Sequence, residues 1–420
     1  MNGGGSIVWH PFTQHALRSR FPKAIRAEGA YIFTADGRRI VDAISSWWVI
    51  THGHRHPRIV AAIREAADTL DQVIFAEYTH EPAERLAEKL LTVAPPGLAH
   101  VFFSDSGSTS VEVALKMALG YWHHSGEPRH RILVMEHSYH GDTVGAMSVG
   151  ERGPFTDAYQ PLLFDVARIP FPAAGRESIT FDALEAHCSA GQAAALIVEP
   201  LVLGAGGMLM YSPAVLAGLR NICASHGVLF IADEVMTGWG RTGTMFACEQ
   251  AGISPDIACY SKGLTGGSLP LAVTLCRHEI FAAHFAEDRR RTFFHSSSFT
   301  ANPIACAAAL ANLEIWESEP VLARIAALQA LQAKHLERLR DDDRFEQVRQ
   351  TGTIAALDVR APDGGYFAAL GPRLAASFQA GEVLLRPLGN TLYVLPPYCV
   401  TADDLDRVYA AILGAVDALA

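Results

Sequence analysis

The sequence contains no C-x-x-C pair. Its seven cysteines (Cys188, Cys223, Cys248, Cys259, Cys276, Cys306 and Cys399) are scattered and odd in number, so neither a disulfide framework nor a cysteine zinc site is indicated and a reducing compartment fits. No run of about 18 apolar residues occurs, and Met1–Ser6 is glycine-rich instead of basic and then apolar. The expectation is a cytoplasmic protein that does not span a membrane. Basic runs are equally scarce. Net charge is −10, and the densest stretch, Arg289–Arg291, is too short to track a phosphate backbone, which argues against a nucleic-acid partner. There is no H-E-x-x-H, so His52, His54 and His56 read as a turn before Pro57 and no metal is expected. The glycines of 204-GAGGM-208 lack G-x-G-x-x-G spacing and read as a loop.

What is present describes an α/β enzyme. The chain has 420 residues, half of them apolar and 19% charged, which at roughly 100–200 residues per domain allows two or three folding units. Tyr31–Thr34, the turn Asp36-Gly37 and Arg39–Asp42 read as a hairpin. Pro57 opens a helix with Ile59, Ile63, Ala67 and Leu70 on one stripe. Short β-rich runs (101–103, 131–135, 194–198, 228–232, 257–260 and 271–275) then alternate with helical patterns, the mark of a mainly parallel sheet flanked by helices. One or two helices follow from Asn302 to about Leu339, then strands near 354–359 and 392–395. A last helix opens with Thr401 and Asp404 in capping-box spacing. The expected division is 1–50 as the N-terminal part of a small domain, 51–315 as the large domain and 316–420 as the C-terminal small domain.

The chemistry concentrates in 228-VLFIADEVMTGWGRTG-243 and 256-DIACYSKGLTGG-267, two β-rich runs that lead into Asp233 and Lys262. Ligands gather at the carboxyl ends of parallel strands, so a carboxylate and an amine there face one ligand. Pyridoxal phosphate needs this pair: a lysine to hold it as an imine and an acid to keep the pyridine nitrogen protonated. A structural salt bridge fits a bare Asp and Lys as well, but it does not call for the flanking glycines Gly263, Gly266, Gly267, Gly238, Gly240 and Gly243. In 104-SDSGSTSVEVALKMALGYW-122, the N–H groups of Gly107 and Ser108 sit at the positive end of a helix, where they read either as a phosphate site or as an ordinary cap and turn.

These runs, with 139-YHGDT-143, resemble the class III aminotransferases over nearly the whole chain. The resemblance implies the fold-type I architecture of pyridoxal-phosphate transferases, with a smaller α+β domain built from both chain ends. It implies that Lys262 carries the cofactor, Asp233 binds its ring nitrogen, Gly107 and Ser108 bind its phosphate and Tyr139 covers the ring face. In such homodimers the run 295-HSSSFTANP-303 closes the phosphate site from the partner subunit, which gives that role to Ser297 and Ser298. Within the class, 9-WHPFTQH-15, 45-SSWWVITHGHRHP-57 and 386-RPLGNTLYVLPPY-398 are most similar to the branch that converts 8-amino-7-oxononanoate to 7,8-diaminononanoate in biotin biosynthesis. That branch implies S-adenosylmethionine as amino donor, Trp47 and Ser296 lining the substrate pocket, and Arg386 on the substrate carboxylate. Trp47 and Arg386 also have plain readings, as a core aromatic and a surface charge. Two positions depart from the family pattern. Phe12, at a substrate-binding position, stands where a Tyr is usual, removing a hydroxyl, and Ser296-Ser297-Ser298 stands where Gly-Pro-Thr is usual. Another class III ω-aminotransferase, with lysine or a small amine as donor and a pyruvate-type acceptor, or a pyridoxal-phosphate aminomutase, would use the same Lys262 and Asp233.

Overall fold

The computed structural model describes residues 6–17 and 21–419; the glycine-rich opening 1–5 lies outside the described residues. Apolar runs without polar alternation, such as Ala193–Val198 and Leu229–Asp233, become strands buried on both faces. A sheet covered by helices on both sides requires this pattern. The central sheet has seven strands in the order Leu98–Ser104, Ala272–Arg277, Ile257–Tyr260, Leu229–Asp233, Ala193–Val198, Arg131–Met135 and Ala167–Ile169. All run parallel except Ala272–Arg277, which is antiparallel to both neighbours. The sheet is therefore mainly parallel, as expected, with one reversed strand that alternation of elements does not disclose.

Helices follow their sequence signals closely. Pro57–Thr69 has proline in its first turn and turns Ile59 into the core. The long alanine-rich stretch divides into Pro303–Ser318 and Val321–Arg340, the first capped by the Asn302 side chain, which accepts from Ala305 N at 3.0 Å. Thr401 and Asp404 form the expected capping box of Ala402–Asp417. The hairpin Tyr31–Thr34/Arg39–Asp42 is antiparallel, and Val383–Leu384 from the far end of the chain pairs parallel with Arg39–Asp42. Both chain ends thus share one four-stranded sheet, completed by Ala24–Glu28. The run 204–208 bridges the two short strands Val202–Leu203 and Leu209–Met210, as a loop. Among the described residues, no helix is long and apolar enough to cross a membrane.

Candidate active site

Because Leu98–Ser104, Arg131–Met135, Ala193–Val198, Leu229–Asp233 and Ile257–Tyr260 run in one direction, the segments that follow them leave from the same edge. Those segments hold Gly107 and Ser108, Tyr139 and His140, Glu199, Asp233 itself, and Lys262. This is the edge at which α/β sheets bind ligands.

Asp233 is buried and pairs in register with Cys259, three residues before Lys262. Its side-chain partner is His140, with Nδ1 2.6 Å from Oδ2, so the structural Asp233–Lys262 salt bridge is not what forms. Val235 N donates to the other oxygen at 3.1 Å. His140 was missed in the sequence, although it lies beside Tyr139 in the same motif. Glu199 was missed too. It is buried, accepts from the Tyr139 and Gly204 amides at 2.9 Å each, and burial pushes its carboxyl up to about 7. Its place one residue beyond the strand Ala193–Val198, next to that of Asp233 at the end of Leu229–Asp233, was a readable signal.

Lys262 opens a short turn, Lys262–Thr265, with φ +47, a left-handed conformation uncommon for a non-glycine residue. The glycines beside it are required by close approach. A Cβ on Gly263 would lie 2.7 Å from the Trp239 side chain, and one on Gly267, at φ +86, would lie 2.5 Å from the Val49 carbonyl oxygen. Burial lowers the pKa of the Lys262 amine, against the opposing pull of the Asp233 and Glu199 carboxylates, and Arg241 lowers it further.

Gly107 and Ser108 are the first two residues of the helix Gly107–His124, whose cap is the Ser106 side chain in a capping box with Thr109. Their amides therefore stand among the first-turn N–H groups that have no partner within the helix. The Ser108 hydroxyl has a different task, accepting from Asp142 N at 3.1 Å, which ties the Tyr139–Asp142 loop to this helix. Burial, with the Asp142 carboxylate beside it, raises the pKa of the Tyr139 phenol.

Trp47 and Trp48 belong to a turn in which four successive non-glycine residues, Ser45 to Trp48, have φ of +52, +57, +121 and +70. Each such residue costs on the order of 1–3 kcal/mol and persists only where its surroundings impose it. The turn aims neighbouring indoles at different cations: the Arg386 guanidinium carbon is 4.8 Å from the Trp47 ring centre, and the Lys262 amine is 5.0 Å from that of Trp48. Arg241, fully buried, donates to the carbonyls of Trp48, Ile50 and Pro396 at 3.2, 2.8 and 3.0 Å. Phe12 meets Trp47 edge-on at 5.9 Å, and its carbonyl accepts from Arg386 at 3.3 Å.

In the loop 295–303, Ser296 and Ser298 are exposed, and the Ser297 hydroxyl donates to the Asp105 carboxylate of the same chain. Gln72 donates to the Ser298 carbonyl at 2.9 Å. The three histidines of 52–56 bond to protein groups: His52 to Asn312 at 2.9 Å, His54 to Asp42 at 2.8 Å and His56 to Glu319 at 3.3 Å.

Lys262 and Gly107 line one cavity of about 320 Å³, together with Val49, Asp105, Ser106 and Ser261. A larger cleft of about 730 Å³, between the Thr242–Thr244 loop and Gln350–Gly352, includes none of the expected site residues. An imine-forming amine, a buried carboxylate and a helix N-terminus on one sheet edge are the parts that hold a phosphorylated pyridine aldehyde. The residues present fit that group.

The chain belongs to the class III aminotransferases: the family described as "Aminotransferase class-III" matches residues 15–416. Within that class it is 48% identical to the adenosylmethionine-8-amino-7-oxononanoate aminotransferase of Synechococcus elongatus, over 98% of each chain. It is 39% identical to the enzyme of the same name from Geobacter sulfurreducens, over 95% of this chain and 93% of that one. The crystal structure of the Methanocaldococcus jannaschii enzyme of this name superposes with a TM-score of 0.93 at 33% identity, covering 98% of this chain and 97% of that one. An amine transaminase from an uncultivated Pseudomonas species, in its PLP-bound form, superposes at 0.91 with 33% identity and 99% coverage of both chains. The fold is that of these transaminases, and the protein is an aminotransferase.

Proposed function

We propose that this chain transfers the amino group of S-adenosylmethionine to 8-amino-7-oxononanoate, forming 7,8-diaminononanoate in biotin biosynthesis, with pyridoxal 5′-phosphate as cofactor. The observation that carries this reading is the 48% identity, end to end, to a relative of that name. When bound, the cofactor supplies an electron sink for the carbanion and carries the amino group between two half-reactions. The chain's own residues do the rest. Lys262 holds the cofactor and, once displaced, moves the proton at the substrate carbon. Asp233, buttressed by His140, keeps the ring nitrogen protonated. The Gly107 and Ser108 amides receive the phosphate, and Tyr139 covers the ring.

Substrate binding falls to Trp47, Phe12, Ser296 and Arg386, whose guanidinium fork suits the acceptor's carboxylate. The Trp47 face serves both a sulfonium donor and an apolar chain. Ser297 and Ser298 act across the interface of a homodimer. The chain divides into a large domain, 51–315, and a small one built from 1–50 and 316–420, in keeping with the sheet that both ends share. The place of work is the cytoplasm.

Mass-spectrometric detection of 7,8-diaminononanoate from both substrates and holoprotein tests the assignment. Product with lysine but not S-adenosylmethionine as donor moves the donor; no product with either overturns the reading. Arg386→Leu should raise KM for the acceptor about 10–100-fold while kcat changes little, since one charged hydrogen-bonded contact is lost. Steady-state kinetics read this directly, and the KM for a carboxyl-methylated acceptor should not differ between the two proteins. A second reading, a small-amine transaminase with a pyruvate-type acceptor, draws on the Pseudomonas-derived amine transaminase, which is nearly as similar in fold and equal in identity to the Methanocaldococcus enzyme.

The lowered pKa of Lys262 gives a pH prediction. A lowered value leaves more neutral amine at a given pH, so cofactor-free protein should capture pyridoxal phosphate at a rate that rises with pH. The rate should reach its plateau below the ordinary lysine value of 10.5. Stopped-flow absorbance at a series of pH values locates that plateau, and one at or above 10.5 contradicts the buried site.

A further inference from the structure

We infer that Asp42 is a positioning residue whose carboxylate fixes the left-handed Ser45–Trp48 turn and thereby sets acceptor affinity. This rests on the reading that Trp47 and Arg386 wall the acceptor. The turn is intrinsically unfavourable for L-residues, with φ between +52 and +121 at four consecutive positions, so something outside it must impose the shape. Asp42 ends the strand Arg39–Asp42 and is fully buried. Its backbone N–H donates to Ala30 O at 2.8 Å, which anchors it in the sheet.

From that anchor the carboxylate reaches into the turn twice. Oδ1 accepts from Ser46 N at 2.8 Å and Oδ2 from Ser46 Oγ at 2.6 Å. His54 Nε2, 2.8 Å from the same Oδ2 and 3.5 Å from Ser46 Oγ, holds the carboxylate beside the Ser46 hydroxyl. Only a side chain with two acceptor oxygens meets these donors together, which is why an amide or a hydroxyl is a poor substitute. Further fastenings are Ser45 Oγ, donating to Leu395 O at 2.7 Å, and Arg241, donating to Trp48 O at 3.2 Å.

The consequence is a KM effect. Trp47 and Trp48 keep their places against Arg386 and Lys262 only while the turn holds. Lys262 is set by a different strand end; the turn also places Trp48 5.0 Å from its amine, so the effect on the cofactor-dependent chemistry should be smaller than that on acceptor binding.

The test uses the holoenzyme with four variants. Asp42→Asn should raise the acceptor KM about 10-fold, with kcat changed less than about twofold and the visible spectrum of the bound cofactor unaltered. Its near-ultraviolet circular dichroism should change, because two indoles shift. Ser46→Ala, which loses only the hydroxyl bond, should raise KM about 3-fold and covers the case in which Asp42→Asn fails to fold. Adding Ser46→Gly to Asp42→Asn should recover about 3-fold of the lost affinity, since glycine takes φ +57 without strain; a role for Asp42 in general stability would not be rescued in this way. Wild-type KM in both Asp42→Asn and Ser46→Ala, or a fall in kcat alone, overturns the inference. Trp47→Ala separates the two levels. If it raises KM while the Asp42 variants do not, the pocket reading stands and the role of Asp42 falls. If it leaves KM unchanged while Asp42→Asn raises it and glycine rescues it, the Trp47 wall falls and Asp42 acts through Trp48.

Discussion

Lys262→Ala should lower transamination by about 10⁴-fold or more, because in the proposed reaction one side chain both holds the cofactor and moves the proton in each half-reaction. Among the described residues of this edge no second primary amine stands beside it: its titratable neighbours are the carboxyls Asp233, Glu199, Asp105 and Asp142, the guanidinium of Arg241, His140 in its bond to Asp233, and the phenol of Tyr139, whose pKa is raised by burial. The loss should be catalytic and not a failure to fold. Burial disfavours the charged amine, so removing it relieves a cost, and the cofactor-free variant should melt no lower than the parent. Added methylamine should restore part of the activity by entering the vacated space. A variant that retains more than about a hundredth of parental kcat would assign the proton transfer to another group.

Asp233→Asn should cost about 10³-fold in kcat, on the scale of one essential proton-holding group. The amide keeps the shape of the side chain but carries no charge to keep a ring nitrogen protonated. The second half of the argument is His140, whose Nδ1 lies 2.6 Å from the carboxylate in a buried setting. Removing it leaves the Asp233 carboxyl with one partner fewer, and His140→Ala should give a smaller loss, about 10-fold. If His140→Ala equals Asp233→Asn in effect, the histidine touches the reaction itself and does not merely support the acid.

The placement of Asp233 and Lys262 at one sheet edge was legible because apolar runs punctuated by glycine locate strand ends, and the edge rule then places whatever polar residue follows. The same logic located Gly107 and Ser108 at a helix start. It would have found Glu199, which follows an equally apolar run, had that position been weighed by the same rule. Other features depend on distant parts of the chain meeting. Arg386 reaches the Phe12 carbonyl across 374 positions, and Arg241 reaches Pro396 across 155. Nothing local in the sequence announces either contact. The strand Phe345–Thr351 is too polar, and carries too irregular a register, to read as β. The left-handed turn at Ser45–Trp48 is a backbone conformation imposed by Asp42 and Arg241, and the letters Ser-Ser-Trp-Trp show only that two aromatics are adjacent.

The most direct test of the account is the visible absorbance of purified holoprotein during sequential addition of S-adenosylmethionine and then 8-amino-7-oxononanoate. The account predicts that the first addition bleaches the band near its full extent and the second restores it, with no other reagent present. A band that ignores S-adenosylmethionine yet bleaches with a small amine and recovers with pyruvate would contradict it and place the chain among the amine transaminases.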